Sequence, residues 1–124
     1  MHLDHLNIYV NNVARSKAFY GAILPEFGHV QVRDFGDIAV GFGDSNYAVL
    51  ALVRDEGTIR PVHLAFRVEN RSDVDRLYAL ALGSGASDNG APGPRPQYHE
   101  HYYAAFVLDP DGHNLEFVCH RNVA

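Results

Sequence analysis

An internal repeat constrains the fold of this chain more than any other feature of its sequence. Residues 4–24 align without a gap with residues 62–82, at an offset of 58 positions. Neither segment is compositionally biased, so chance matching of simple sequence does not explain the likeness. The identical pairs are His5/His63, Leu6/Leu64, Val10/Val68, Asn12/Asn70, Tyr20/Tyr78 and Leu24/Leu82.

The second part of each copy repeats as well. Residues 44–53 align with residues 109–118, at an offset of 65. The seven extra positions of the second copy come from the difference between 65 and 58. We therefore interpret the 124 residues as a single domain of two related modules, 1–57 and 58–124.

Hydrophobic periodicity predicts the same order of elements in both copies. Apolar residues alternate with more polar ones after His5 and again after His63, which is typical of a half-buried strand. A helix is expected after each strand, capped by Asn12 in the first copy and by Ser72 in the second, where Gly83 is a suitable end. Further strands are predicted near residues 29–34, 37–42, 47–54, 102–108 and 113–120, whereas residues 84–101 are rich in Gly and Pro and are predicted to be a loop. The fold class is therefore α+β, with a strand, a helix and three strands in each module.

Composition excludes several classes of function. The net charge is −5 and the ten Lys and Arg residues are scattered, so no nucleic-acid surface is expected. The sequence starts without the pattern of a signal peptide, and no apolar run approaches the roughly 18 residues of a membrane helix. The single cysteine, Cys119, cannot close an intrachain disulfide and is expected to be a packed core thiol. A cytoplasmic protein that binds neither nucleic acid nor membrane is the resulting expectation.

The repeat also points to a metal site. Superposing the copies relates four positions, which are occupied by His5, Ala51, His63 and Glu116. Two imidazoles and one carboxylate form a triad that suits divalent Fe, Mn, Co, Ni or Zn and leaves coordination positions open. A strand histidine alone is more often a hydrogen-bonded structural residue than a ligand. Glu116 is harder to explain in this way, because a carboxylate inside an apolar strand needs a partner or a metal.

Four segments together resemble a known family, the vicinal oxygen chelate superfamily of glyoxalase I, extradiol dioxygenases and fosfomycin-resistance transferases. These segments are DHLNIYV at 4–10, SKAFY at 16–20, VHLAFRV at 62–68 and FVLDPDGHNLEFV at 106–118. The resemblance implies two paired βαβββ modules that form a cupped mixed β-sheet around a metal. It also implies that His5, His63 and Glu116 are the metal ligands.

The same resemblance implies a reaction class. Members of the superfamily chelate vicinal oxygens of a small molecule on a divalent metal. Ala51 stands where glyoxalase I has a fourth ligand, which favours a lyase, isomerase or dioxygenase type over a standard glyoxalase I. Phe106 replaces the tyrosine of the extradiol signature, and the closest likeness is to short bacterial glyoxalase-like proteins. The alternative is a metal-free binding module like the bleomycin-resistance proteins, and a homodimer is expected in either case.

Further candidates surround the three predicted ligands. His99, His101 and Tyr102 stand at the start of a predicted strand beside Glu116, so they are the candidate catalytic groups that move a proton. A polar loop tip next to an aromatic strand would have the same sequence. The turn residues Asp109 and His113 are interpreted as structural. The candidate substrate-binding residues are Asn7, Tyr9, Arg67 and Tyr98.

Overall fold

Each half of the chain forms a strand, a helix and three further strands. A computed structural model describes residues 3–124, and the chain divides into two units, Met1–Arg60 and Pro61–Ala124. The first unit contains β1 (Leu6–Val10), α1 (Val13–Ile23), a 3-10 helix (Leu24–Phe27), β2 (Val30–Asp34), β3 (Ala39–Gly43) and β4 (Leu50–Arg54). The second contains β5 (His63–Arg67), α2 (Arg71–Gly83), β6 (Ser87–Pro94), β7 (Tyr103–Leu108) and β8 (Asn114–Cys119). The predicted α+β class and the order of elements in each half are confirmed.

Each unit has its own four-stranded mixed sheet. The strand order is β1-β4-β3-β2 in the first sheet and β5-β8-β7-β6 in the second. The first and last strands of each unit are parallel neighbours, with Leu6 opposite Leu50 and Leu64 opposite Leu115. These two pairings are related by offsets of 58 and 65, so the sequence repeat is also a repeat of strand register.

The two helices begin in different ways. The Asn12 side chain accepts a hydrogen bond from the Arg15 amide at 3.0 Å, which confirms the predicted cap of α1. The predicted cap of α2 at Ser72 is wrong, because the N-cap is Asn70, two residues earlier, and the helix begins at Arg71. The Asn70 side chain makes no capping bond, and the Arg71 amide donates instead to the Val123 carbonyl at 2.8 Å. A backbone contact far along the chain thus takes over part of what a cap normally does.

The prediction of a loop over residues 84–101 is also wrong in part. Strand β6 lies inside that segment and pairs with β7 alone, at the edge of the sheet. Its pairing shifts register on both sides of Gly90, whose φ of 146° is accessible to glycine. Proline and glycine are tolerated on an edge strand with bulges, because only one side of the strand needs its hydrogen bonds. The high Gly and Pro content therefore predicted a loop where the chain forms strand β6.

The helices of the described part are short. They contain 11 and 13 residues, and each buries one stripe of side chains. Within residues 3–124, no helix has the length and apolar character that crossing a bilayer would need. In α1 the buried residues are Val13, Ser16, Phe19, Tyr20 and Ile23, and in α2 they are Val74, Leu77 and Ala81.

The caps provide a matched pair of substitutions. Asn12→Ala removes the side-chain acceptor of the Arg15 amide and is expected to lower the free energy of unfolding by about 1 kcal/mol. Asn70→Ala removes a side chain that makes no capping bond and is expected to cost clearly less. Urea denaturation of both variants, followed by circular dichroism, measures the difference. Equal losses would contradict this account of how the helices begin.

Candidate functional site

The two faces of the second sheet have different roles. Helix α2 covers one face, where the Tyr103 hydroxyl donates to Asp75 of that helix at 2.7 Å. Cys119 points to this side and is fully buried, with its sulfur 3.4 Å from the Glu69 carbonyl, which confirms its prediction as a core thiol. Because side chains alternate along a strand, Glu116 of β8 lies on the opposite face. That face also carries the side chains of His63 and Tyr102, which contact Glu116.

The centre of this face is the carboxylate of Glu116. It is only 2% exposed, and each of its oxygens meets a different partner. Nε2 of His63 lies 2.8 Å from Oε1, and the Tyr102 hydroxyl donates to Oε2. Glu116 lies on β8 between the strands that position these partners, since β5 begins at His63 and β7 begins just after Tyr102. The sheet order therefore brings together three of the predicted site residues.

Tyr102 is held in its protonated form. Burial raises the pKa of its phenol, and the hydrogen bond to Glu116 and the charge of that carboxylate raise it further. A phenolate beside a buried carboxylate would place two negative charges in contact. Tyr102 is therefore a hydrogen-bond donor across the ordinary range of pH and not a base.

A pair of histidines lies beside Tyr102. Nδ1 of His99 accepts a hydrogen bond from the His101 amide at 3.1 Å, so a neutral His99 has its proton on Nε2. That proton is donated to Nδ1 of His120, 2.8 Å away, and both rings contact the Tyr102 ring edge to face. Alternation along the last predicted strand puts His120 on the same face as Glu116, where it is expected either to lie behind the predicted ligands or simply to be exposed near the end of the sequence. The pairing spans 21 residues, and no local sequence pattern signals it.

The other candidates of the second unit lie around this cluster. The ring of Tyr98 is exposed and lies 4.8 Å from the Tyr102 ring. The side chain of His101 turns to Glu100, with Nε2 3.4 Å from its carboxylate, so only the His101 amide joins the cluster. Arg67 is exposed at the end of β5.

The candidates of the first unit lie on and beside β1. Ile8 and Val10 are buried, whereas Asn7 and Tyr9 are exposed on the alternate face. His5 precedes the strand, is exposed, and has its Nδ1 2.7 Å from the carboxylate of Asp4. This contact leaves Nε2 as the available ring nitrogen, which is the arrangement typical of a metal-ligating histidine with an outer carboxylate.

The donors present suit a divalent metal in kind. An imidazole nitrogen and a carboxylate oxygen already meet at His63 and Glu116, and both are common ligands of divalent transition metals. Among residues 3–124, no three His, Cys, Asp or Glu side chains form a cluster that could hold a metal ion. A metal held by His63 and Glu116 would therefore need at least one further ligand.

Comparison with known proteins supports this assignment of fold. The family model described as "Glyoxalase/Bleomycin resistance protein/Dioxygenase superfamily" matches residues 2–117. No curated protein matches the sequence. A solution NMR structure of a protein from Agrobacterium tumefaciens is 29% identical, with a TM-score of 0.71, and the match covers 96% of this chain and 97% of that one.

Two crystal structures show a similar fold at lower identity. A glyoxalase/bleomycin resistance protein from Albidiferax ferrireducens is 22% identical with a TM-score of 0.75, covering 94% of this chain and 96% of that one. A genomically encoded fosfomycin resistance protein from Listeria monocytogenes is 16% identical with a TM-score of 0.74, covering 96% and 93%. At these identities the likeness concerns the fold.

The Glu116 contact predicts the behaviour of Tyr102. Glu116→Gln removes the negative charge beside the phenol, so the pKa of Tyr102 is expected to fall toward its ordinary value. Nuclear magnetic resonance of labelled tyrosine rings would show Tyr102 ionising at lower pH in the variant than in the wild type. Asp88→Asn, which removes the carboxylate bonded to Tyr78, is the control and should change only Tyr78. An unchanged Tyr102 in Glu116→Gln would contradict the contact.

Proposed function

The chain belongs to the glyoxalase/bleomycin resistance protein/dioxygenase superfamily, and from this premise we propose that it is a metal-dependent enzyme acting on a small molecule with vicinal oxygens. In this proposal His5, His63 and Glu116 bind the divalent metal. The observation that carries the proposal is the buried carboxylate of Glu116 in contact with Nε2 of His63, 2.8 Å away.

A purely structural role explains this contact poorly. A buried carboxylate is costly to fold around even when it is hydrogen-bonded, because its charge is removed from water. An apolar pair at these strand positions would pack without that cost. His63 also remains 54% exposed beside the buried carboxylate, so its imidazole is accessible from solvent. A buried acid with one accessible imidazole partner is better explained as part of a binding site.

The chemistry of the donor set supports an enzyme. Two histidines and one carboxylate leave coordination positions open for water or substrate. When bound, a divalent metal supplies Lewis acidity, which stabilises negative charge on a substrate oxygen. Ala51 contributes no fourth ligand, so the proposed activity is of the lyase, isomerase or dioxygenase type. The metal itself is one of Fe, Mn, Zn, Ni or Co in this proposal.

The surrounding residues have separate tasks in this proposal. Tyr102 donates to Glu116 and fixes the orientation of its carboxylate. His99 and His120, with the tautomers set by the His101 amide, are the groups that hold or move a proton beside it. Substrate contacts are assigned to exposed side chains on the strand faces of His5 and His63 and in the segment before β7, namely Asn7, Tyr9, Arg67 and Tyr98.

The third ligand has two possible sources. His5 belongs to the first unit, and modules of such proteins can be paired within one chain or exchanged between two copies. We propose a homodimer, in which either arrangement can complete the site. Mixing a His5→Ala variant with a Glu116→Gln variant distinguishes them, because exchange of modules restores some complete sites and pairing within a chain restores none.

Metal binding is the direct test of the proposed function. The wild type, prepared without chelators, is expected to bind one divalent metal per chain, measured by elemental analysis and by titration with Co²⁺ or Zn²⁺. Glu116→Gln and His63→Ala should each lower the affinity by more than about 100-fold, beyond the effect of an outer-sphere change. Glu56→Gln is the matched control, since Glu56 is a highly exposed carboxylate that pairs only loosely with Arg54.

The same measurements distinguish the proposed enzyme from the alternative, a metal-free binding module. A wild type that takes up none of the five metals would overturn the enzyme proposal. Tight binding of a planar drug that is independent of metal would then favour a bleomycin-resistance-like binding module. Loss of metal equally in Glu56→Gln and Glu116→Gln would show that binding is not at this site.

Tyr102 gives a graded prediction. Tyr102→Phe removes the donor to Oε2 of Glu116 while keeping the ring packed against His99 and His120. Metal affinity is expected to fall about 10- to 100-fold, as for other outer-sphere partners of ligating carboxylates. Isothermal titration calorimetry measures it, and an unchanged affinity would remove Tyr102 from the site.

A further inference from the structure

The turn between β7 and β8 is closed by hydrogen bonds among its own residues. The Asp109 carboxylate, 4% exposed, accepts hydrogen bonds from the amides of Asp111 at 2.9 Å and His113 at 2.8 Å. The Asp109 amide donates to the His113 carbonyl at 2.9 Å, and Gly112 takes a φ of 89° that favours glycine. The turn is thus closed on itself from both ends.

This closed turn presents a buried imidazole. His113 is 1% exposed, and its Nδ1 accepts a hydrogen bond from the Val62 amide at 3.0 Å. An accepting Nδ1 requires a neutral ring with its proton on Nε2. The Val62 carbonyl in turn accepts from the Asn114 amide at 2.9 Å. Both backbone polar groups of Val62 are therefore held by consecutive residues of the second unit.

Val62 is the residue immediately before His63. His63 lies opposite Asn114 in the parallel pairing of β5 and β8, and Glu116 follows two residues later on the same face. The two hydrogen bonds to the backbone of Val62 consequently fix the position of the His63 ring along β8. Without it, β5 would begin with an unpaired amide directly before the residue whose Nε2 lies 2.8 Å from Glu116.

We propose that His113 is a positioning residue that places His63 against Glu116 through the Val62 amide. The turn residue Asp109 supports it by fixing the His113 backbone. The chemistry required at position 113 is a buried acceptor at the place of Nδ1. The amide oxygen of asparagine can stand near that place, whereas leucine offers no acceptor. This inference rests on the proposed function only where metal affinity is the readout.

The first test needs neither metal nor variant. In the ¹⁵N-labelled wild type, a nitrogen–nitrogen coupling across the hydrogen bond is expected between the Val62 amide and His113 Nδ1. The His113 ring should show the Nε2–H tautomer, and the Val62 amide should exchange slowly with solvent. A His113 ring protonated on Nδ1, or a Val62 amide that exchanges as fast as an exposed one, would overturn the proposal.

The second test compares substitutions. His113→Leu is expected to lower metal affinity about 10- to 100-fold, in the range of other outer-sphere changes, and His113→Asn to restore most of it. Leu77→Val is the control for stability alone, because Leu77 is buried on α2, which packs against the other face of the sheet. It should destabilise the same unit and leave metal affinity unchanged.

The outcomes separate the two proposals. If the wild type binds no metal, the proposed function fails, and the nitrogen–nitrogen coupling still decides whether His113 holds the Val62 amide. If the wild type binds metal and His113→Leu binds equally well, the positioning role is overturned while the function stands. Equal losses in His113→Leu and His113→Asn would also overturn it, since the acceptor would then be irrelevant. Should His113→Leu fail to fold, the wild-type coupling and His113→Asn carry the test.

Discussion

Burial of a single carboxylate governs the second half of this protein. Glu116 is inaccessible to water, so each of its oxygens needs a donor within the fold. The two donors come from opposite neighbours of β8, with His63 at the start of β5 and Tyr102 just before β7. A slip of either neighbouring strand by one residue would turn its side chains to the other face and leave an oxygen without a partner. The register of three strands is therefore tied to one side chain.

The first unit shows the same architecture without that constraint. Its last strand has Ala51 at the position that corresponds to Glu116, paired with Asn7 as Glu116 is paired with Ala65. The methyl group of Ala51 needs no hydrogen-bond donor. Side chains from the two neighbouring strands therefore need not meet at this position. His5 is held instead by the adjacent Asp4, through a contact local to the chain. The repeat has thus kept the strand pairing while concentrating the charged chemistry in one copy.

Sequence reasoning succeeded where the signal was local or repeated. Alternating apolar residues and the two offsets located β1, β4, β5 and β8, and Cys119 is buried in the core as expected. It failed where long-range contacts replaced local ones. Strand β6 is stabilised by one neighbour despite its Gly and Pro content, and α2 starts with a bond from Arg71 to the distant Val123. The His99–His120 pair could have been suspected from the shared face of Glu116 and His120, but its geometry depends on the conformation of the segment before β7.

The two hydrogen bonds of the Glu116 carboxylate would be affected differently if a metal bound there. Oε1 is engaged by Nε2 of His63, and these are the two atoms that would have to face a shared metal. For both atoms to act as ligands, that hydrogen bond must open. The attraction between His63 and Glu116 is then lost. The bond from Tyr102 to Oε2 need not open, because it uses the other oxygen. A carboxylate that keeps one donor while releasing the other stays oriented throughout the exchange. The parallel pairing of β5 with β8 then determines how far apart these two atoms stay once the hydrogen bond has opened.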